Sequence, residues 1–331
     1  MNKNVVLIHP PLYVGGFQLR YPATSVLAAG LQESGFKPMQ HDLNNAFMDW
    51  FLRSPHLAKG MRDVERLVDF LESKRKLGAA QYKSYINCKG LLRDRRLIPH
   101  EFNDENCGAI YRFIPFPRDP RTDADLISMP GSRQEEFELI RKFYRSYFSR
   151  HNRRRPLFVG ITVAMFSQLV PALILAKWLK SRHWPGIPIY IGGPAATLLM
   201  DRTLKTIFSL KTIDGVVQGE GEEAIVGLAR ESLKARPDFS AIPNFCYPFK
   251  FRIARSEVSP KCDINEYPVP LYEGKLLDRS IRTPLTVIVA RGCPWGRCAF
   301  CEYPLLYGRK QQRDPDVVVR DIRGAGLQAE R

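Results

Sequence analysis

A chain of 331 residues with 44% hydrophobic side chains is long enough for two domains with cores of their own. No run is long and apolar enough to span a bilayer, and Met1 to His9 enters a strand without signal-peptide architecture, which argues against membrane-spanning and exported classes. The seven cysteines (88, 107, 246, 262, 293, 298 and 301) are odd in number and mostly scattered, so a reduced, cytoplasmic protein is expected.

The net charge of +16 is unevenly spread. Residues 51–155 hold 23 Lys and Arg against 14 Asp and Glu, so +9 of it lies there, densest at Lys74-Arg75-Lys76 and Arg153-Arg154-Arg155. A solvated helical face accounts for this, and a surface for an acidic peptide or metabolite is the competing reading. No nucleic-acid motif accompanies the charge.

In chain order, Val5-Val-Leu-Ile8 reads as a short buried strand that His9-Pro10-Pro11 ends sharply. A loop with Gly15 and Gly16 follows, then a helix from Ser25 to Glu33 stopped at Gly35, then a strand from Lys37 to Leu43. That is a β-α-β unit opening a parallel sheet. From about 45 to 155 the alternation disappears. Helical periodicity in 63–77 and 134–148 flanks an irregular, proline-rich stretch around 114–121, and the region reads as a mostly helical insertion.

The α/β pattern then resumes. Residues 157–164 form a continuous apolar strand, as expected when helices cover both faces of a sheet. Ser167 is the expected N-cap of a helix to about Arg182. Strands over 187–191 and 214–217 end in Gly192-Gly193-Pro194 and in Gln218-Gly-Glu-Gly-Glu-Glu223. The fold class is therefore α/β, a Rossmann-like (flavodoxin-like) sheet of five parallel strands, with ligand-friendly loops at the carboxyl ends of four of them. The domains follow as 1–240 for the sheet with its insertion, 241–283 for a connector containing a small strand pair near 249–253, and a second domain from 284.

Gly219-Glu-Gly221-Glu-Glu-Ala224 fits a dinucleotide fingerprint but follows the last strand, and Glu220, Glu222 and Glu223 would repel a pyrophosphate. The glycines still permit close approach of a large ligand. His9 and His41 lie near strand ends and are read as structural rather than ligating. Cys88, Cys107, Cys246 and Cys262 have no partner spacing.

The strongest signal is Thr286-Val-Ile-Val-Ala-Arg-Gly-Cys-Pro-Trp-Gly-Arg-Cys-Ala-Phe-Cys301, a β-branched run read as a strand over 286–290 and then three thiols at C-x4-C-x2-C spacing. Structural zinc is closed by four ligands and lacks an obvious fourth nearby. An iron–sulfur cluster with one open iron needs only Cys293, Cys298 and Cys301.

With these residues in view, the chain resembles the cobalamin-binding radical S-adenosylmethionine (SAM) enzymes. The cysteine loop, with Phe300 before its last thiol, is similar to their cluster loop, although four residues rather than the commoner three separate Cys293 from Cys298. Gly160-Ile-Thr, Ile191-Gly-Gly-Pro-Ala-Ala-Thr197, Val216-Val-Gln-Gly-Glu-Gly-Glu-Glu-Ala224 and Asp263-Ile-Asn-Glu-Tyr-Pro-Val-Pro270 extend the likeness to about 3–44 and 156–331.

The resemblance implies a [4Fe–4S] cluster on Cys293, Cys298 and Cys301, with SAM on its fourth iron beside Phe300. It implies cobalamin over the sheet's carboxyl edge, near Pro10, Leu12, Thr162, Ser167, Gly192, Gly193, Gln218, Gly219, Gly221 and Glu222, without a protein histidine on cobalt because the first loop lacks Asp-x-His-x-x-Gly. The implied activity is methyl transfer to an unactivated carbon through a 5′-deoxyadenosyl radical, on a small-molecule or peptide substrate and with an external electron donor. Cyclisation or rearrangement is the alternative within the family. A non-catalytic cobalamin module with a vestigial or zinc-binding cysteine loop is the alternative outside catalysis. Only thirty residues follow Cys301, too few for the family's (β/α) barrel, so residues 284–331 are expected to be an incomplete start of it and the chain alone inactive.

Overall fold

The computed structural model of the chain describes residues 2–11, 21–53, 55–93, 120, 122–150, 154–258, 262–272 and 285–330. Its centre is a sheet of seven strands in the order β2-β1-β3-β4-β5-β6-β7. These are β1 (Asn4–His9), β2 (Lys37–Asp42), β3 (Val159–Thr162), β4 (Ile189–Gly192), β5 (Gly215–Val217), β6 (Phe245–Phe249) and β7 (Arg252–Arg255). The first five are parallel, and their 2-1-3-4-5 order is the flavodoxin-like doubly wound one. The expected five strands thus stand. Two more, β6 and β7, form a hairpin that continues the sheet antiparallel to β5, so residues 245–255 belong to the sheet rather than to a connector.

Strand alternation sends side chains to two cores. On β1, Val6 and Ile8 face one and Val5 and Leu7 the other. The first core is closed by α2 (Leu43–Leu52), α3 (Pro55–Glu72), α4 (Ala79–Arg93), α5 (Asp123–Ser128), α6 (Glu135–Ser149) and α7 (Leu169–Trp178). The helical region expected as an insertion therefore packs into the core on this side of the sheet, together with α7. It is filled with rings: Phe143 packs within 5.2–5.7 Å of Phe47, Trp50, Tyr144 and Tyr147. The helix expected over 63–77 is α3, displaced toward the N-terminus, while that expected over 134–148 is α6 within one residue. The proline-rich stretch around 114–121 lies almost wholly outside the described residues.

The second core is covered by α1 (Ala23–Glu33) and a later helix, α10 (Glu222–Glu231), which pack on one another's flanks. Between α7 and α10 lie α8 (Pro194–Thr197) and α9 (Asp201–Ser209).

Two local expectations are corrected. Ser167 does not cap the following helix. It lies in a 3-10 turn, Phe166–Gln168, and Gln168 folds its side chain back so that Oε1 accepts from the Ala164 and Met165 amides at 2.9 and 3.1 Å. A longer side chain reaches two amides where a serine hydroxyl reaches one. Past Trp178 the helix widens into a π turn, Leu179–His183.

The apolar run before the cysteines is also less regular than its composition suggests. Only β8 (Ala290–Arg291) is strand, paired antiparallel with β9 (Gln311–Gln312). Val287, Ile288 and Val289 have no ladder partner among the described residues, and β propensity without a partner does not make a strand. Between β8 and β9 run the cysteine loop and α11 (Tyr303–Tyr307), and α12 (Pro315–Glu330) follows. Among the described residues no helix is long and apolar enough to cross a membrane.

Candidate functional site

The carboxyl ends of the parallel strands open onto a cavity of about 260 Å³. Its floor comes from Leu7, Gly160, Tyr190 and Val217, its sides from the starts of α1 and α10, and its far wall from Ile288, Ala290, Arg291 and the residues of α11. Thus the sheet edge and the segment around the cysteines face one another across one space. Doubly wound sheets bind ligands at this edge, because strand order reverses there and leaves a crevice.

Glycines create the room. Gly160 stands in the middle of β3, where a Cβ would lie 3.1 Å from Leu7 Cδ2 and 3.4 Å from Ile225 Cδ1, so a side chain at 160 would crowd two residues that line the cavity. Gly193 has φ +100°, and a Cβ there would sit 2.8 Å from the Val163 carbonyl oxygen. The loops after β4 and β5 are tied together by Thr197, whose hydroxyl donates to the Gly193 carbonyl at 3.0 Å and accepts from the Gly219 amide at 3.1 Å.

Thr162, Gly192, Gly193, Gly219, Gly221 and Glu222 all line the cavity. Pro10, Ser167 and Gln218 are not among its lining residues, and Leu12 lies outside the described residues. Pro10 accepts from Gln168 Nε2 at 2.6 Å through its carbonyl, so the buried Gln168 joins the loops after β1 and β3. Gln218 is spent on structure: Nε2 donates to the Leu199 carbonyl at 2.8 Å and Oε1 accepts from Arg255.

His9 is buried and stacked on Tyr21 at 5.0 Å with 12° between the rings. Burial lowers its pKa to about 4, against the pull of Asp42 and a hydrogen bond with the Thr162 backbone, so the ring is neutral at physiological pH. It is not among the cavity's lining residues.

The cysteine loop is pinned at its start. Gly292 turns with φ +85°, where any Cβ would collide with the Arg309 carbonyl oxygen, and the Cys293 amide donates to the Gly308 carbonyl at 3.2 Å. The Gly296 amide points at Cys293 Sγ, 3.4 Å away. Cys293 and Cys301 are partly exposed and Cys298 is exposed, all three as free thiols. Among the described residues no three His, Cys, Asp or Glu side chains are gathered as a metal-ligand set, the loop cysteines included. Phe300 and Trp295 are exposed, with the Arg297 guanidinium 5.8 Å from the Trp295 ring. Phe300 is not part of the cavity wall.

Sequence reasoning missed the aromatic and ionic wall. Tyr21, Tyr190, Tyr303 and Tyr307 line the cavity, as does Arg291, which reads in the sequence only as part of a strand break. Nothing in local periodicity marks a tyrosine as cavity-facing. Burial raises the Tyr190 pKa to about 12, with the Asp214 charge adding to it, so this hydroxyl stays protonated.

No protein-family model matches the chain. Over 181 residues, 51% of this chain and 36% of the relative, it is 27% identical to a protein of Methanocaldococcus jannaschii assigned by inference as a methylthiotransferase. Among solved structures it superposes on TsrM, a radical SAM methyltransferase from Kitasatospora setae with cobalamin and a [4Fe-4S] cluster bound (TM-score 0.52, 16% identity). It likewise superposes on OxsB, a cobalamin-dependent SAM radical enzyme with aqua-cobalamin and SAM bound (TM-score 0.53, 12% identity). The chain has the fold of cobalamin-dependent radical SAM enzymes. The match covers 99% of this chain in both cases, but the chain spans only 47% of TsrM and 32% of OxsB.

Proposed function

We propose that this chain serves a cobalamin-dependent radical SAM enzyme that transfers a methyl group to an unactivated carbon of a small-molecule or peptide substrate. The observation that carries the reading is the cavity at the sheet's carboxyl edge, opened by Gly160 and walled on its far side by the segment that leads into three free thiols. TsrM carries cobalamin and a [4Fe-4S] cluster, and OxsB carries cobalamin and SAM, on the same fold.

The residues fit the cofactors by chemistry. The floor beside Gly160 is apolar (Leu7, Val217, Ile225, Leu228) and suits the flat aromatic tail of a cobalamin, while the backbone of Gly192, Gly193, Gly219 and Gly221 permits close approach of a bulky ring system. Three reduced thiols on one loop are the soft donors an iron–sulfur cluster takes, and gathering them about one centre requires their side chains to rearrange within this partly exposed loop. When bound, such cofactors supply the radical and the methyl carrier, which protein side chains cannot. The chain's own residues position and shield: neutral His9 packs against Tyr21 rather than reaching the cavity, so the reading includes cobalamin held without a histidine on cobalt.

The decisive experiment is a titration of the anaerobically purified protein with hydroxocobalamin, followed by absorption, alongside iron, zinc and labile-sulfide analysis. The expected result is stoichiometric binding, a drop of at least tenfold in affinity for Gly160→Val, and iron with sulfide. Zinc alone would instead favour a non-catalytic module, and undiminished binding to Gly160→Val would remove the cavity from the argument.

A further inference from the structure

Of the three glutamates in the acidic turn after β5, Glu223 is exposed, whereas Glu220 and Glu222 are turned inward. Arg291 reaches across to these two from the chain just before the cysteines. One guanidinium nitrogen lies 3.1 Å from Glu220 Oε1 and the other 2.9 Å from Glu222 Oε1, with all three side chains less than a fifth exposed. The first nitrogen also donates to the Tyr267 hydroxyl at 2.6 Å. The guanidinium plane lies over Tyr267 at 5.0 Å from its ring centre and over Tyr307, on α11, at 5.9 Å. Glu220 is itself anchored, since its Oε2 accepts from the Cys262 amide at 2.7 Å and its carbonyl from Asn244.

This arrangement fixes the charge of Arg291. Burial opposes a cation there, but the carboxylates, Glu222 foremost, outweigh it and the guanidinium is held more firmly protonated than usual. Burial, with the nearby carboxylates of Glu223, Glu220 and Glu222, pushes the Cys262 thiol up to about 12, so it stays protonated. Two carboxylates held near each other out of water are tolerated only while the cation between them stays, because charges in a low-dielectric site repel strongly when unpaired.

Position then matters. Arg291 is separated from Cys293 by Gly292 alone, whose turn leaves no slack, and Arg291, Glu220 and Glu222 all line the cavity. We propose that Arg291 is a positioning residue, a clasp between the acidic turn and the cysteine segment that makes the cavity wall and the cysteine loop move as one body. A ligand seated in the cavity would thereby bias where Cys293 and α11 stand, and by reciprocity the state of the loop would bias the cavity. The clasp itself stands on this geometry alone. Only its response to cobalamin rests on the proposed function.

The test uses the full chain and two readouts, hydrogen exchange across the protein and the rate of iodoacetamide labelling at each cysteine, resolved by mass spectrometry. In Arg291→Gln, labelling of Cys293 and Cys301 and exchange over 288–308 are expected to rise at least tenfold while β1, β3 and β4 keep their protection. Arg291→Lys, which keeps the charge but loses the fork, is expected to fall between. The swap Arg291→Glu with Glu222→Arg is expected to recover part of the protection. Unchanged rates in Arg291→Gln, or loss of protection spread evenly over the sheet, would overturn the clasp. Adding hydroxocobalamin is expected to slow Cys293 labelling in the wild type at least threefold and to leave Arg291→Gln unaffected. If cobalamin slows both equally, the coupling is wrong. If the wild type does not bind it, the cofactor reading fails while the ligand-free comparison still decides the clasp.

Discussion

The two faces of the sheet are built by opposite means. On one, helices drawn largely from residues 43–149 fill the space with rings, and Phe47, Phe51, Phe137, Phe143, Tyr144 and Phe148 are all fully buried. On the other, α1 and α10 bring small and aliphatic residues into a core that also holds Phe158, Tyr190 and Phe245, and a glycine in mid-strand leaves room beside them. The first face is packed throughout, whereas the second keeps an open cavity. A packed interior gains free energy from every contact it makes, whereas a cavity forgoes those contacts until a ligand supplies them.

Substitutions should separate the two faces. The largest effect is expected at Phe143→Ala, which removes a ring touching four others and should cost ~3–5 kcal/mol in chemical denaturation. If the protein survives this loss, cobalamin titration should be unchanged, and a matching loss of affinity would mean the faces are not independent. Next comes pH. His9 takes up a proton near pH 6.5 in the unfolded chain but only near 4 in the fold, so the unfolded state binds more protons in that window. Stability should be fully present above pH 6.5 and should fall by about 3 kcal/mol as pH drops to 4. Replacing His9 with Phe should remove that slope, and a slope that persists would place its origin elsewhere.

A smaller stability effect is expected on the open face. Gly160→Val, which should weaken cobalamin binding at least tenfold, should cost ~1–3 kcal/mol because its Cβ would crowd Leu7 Cδ2 at 3.1 Å and Ile225 Cδ1 at 3.4 Å and push these aliphatic side chains aside. The smallest belongs to the exposed pair Lys89–Glu72, at 2.6 Å on α4 and α3, where Glu72→Ala should leave the denaturation midpoint nearly unchanged despite the close contact. A larger loss there would show that the helical cover is held by its surface as well as by its rings.

Much of this was legible from residues alone. The five parallel strands announce themselves as apolar runs, because a strand covered on both faces has no polar side to show. Gly192, Gly193, Gly219 and Gly221 stand out because glycine at a strand's end permits turns and close approaches that other residues do not. The hairpin of β6 and β7 was harder to place, since Pro248 disguises a strand and only β5 decides that it joins the sheet. The run over 286–289 erred the other way, its β-branched residues promising a strand that needs a partner to exist.

By itself, then, the sequence determined the class of sheet, the glycine-rich loops at the edge where the cavity opens and the three thiols on one loop, since these depend on neighbours in the chain. Tertiary structure alone decided that the basic helical region packs into the sheet's core, that His9 is a packed and neutral ring, and what Glu220 and Glu222 pair with. Glu220 and Glu222 read in isolation as charges that would repel a phosphate. Their partner Arg291 lies some seventy residues away, and folding alone brings them within 3.1 Å.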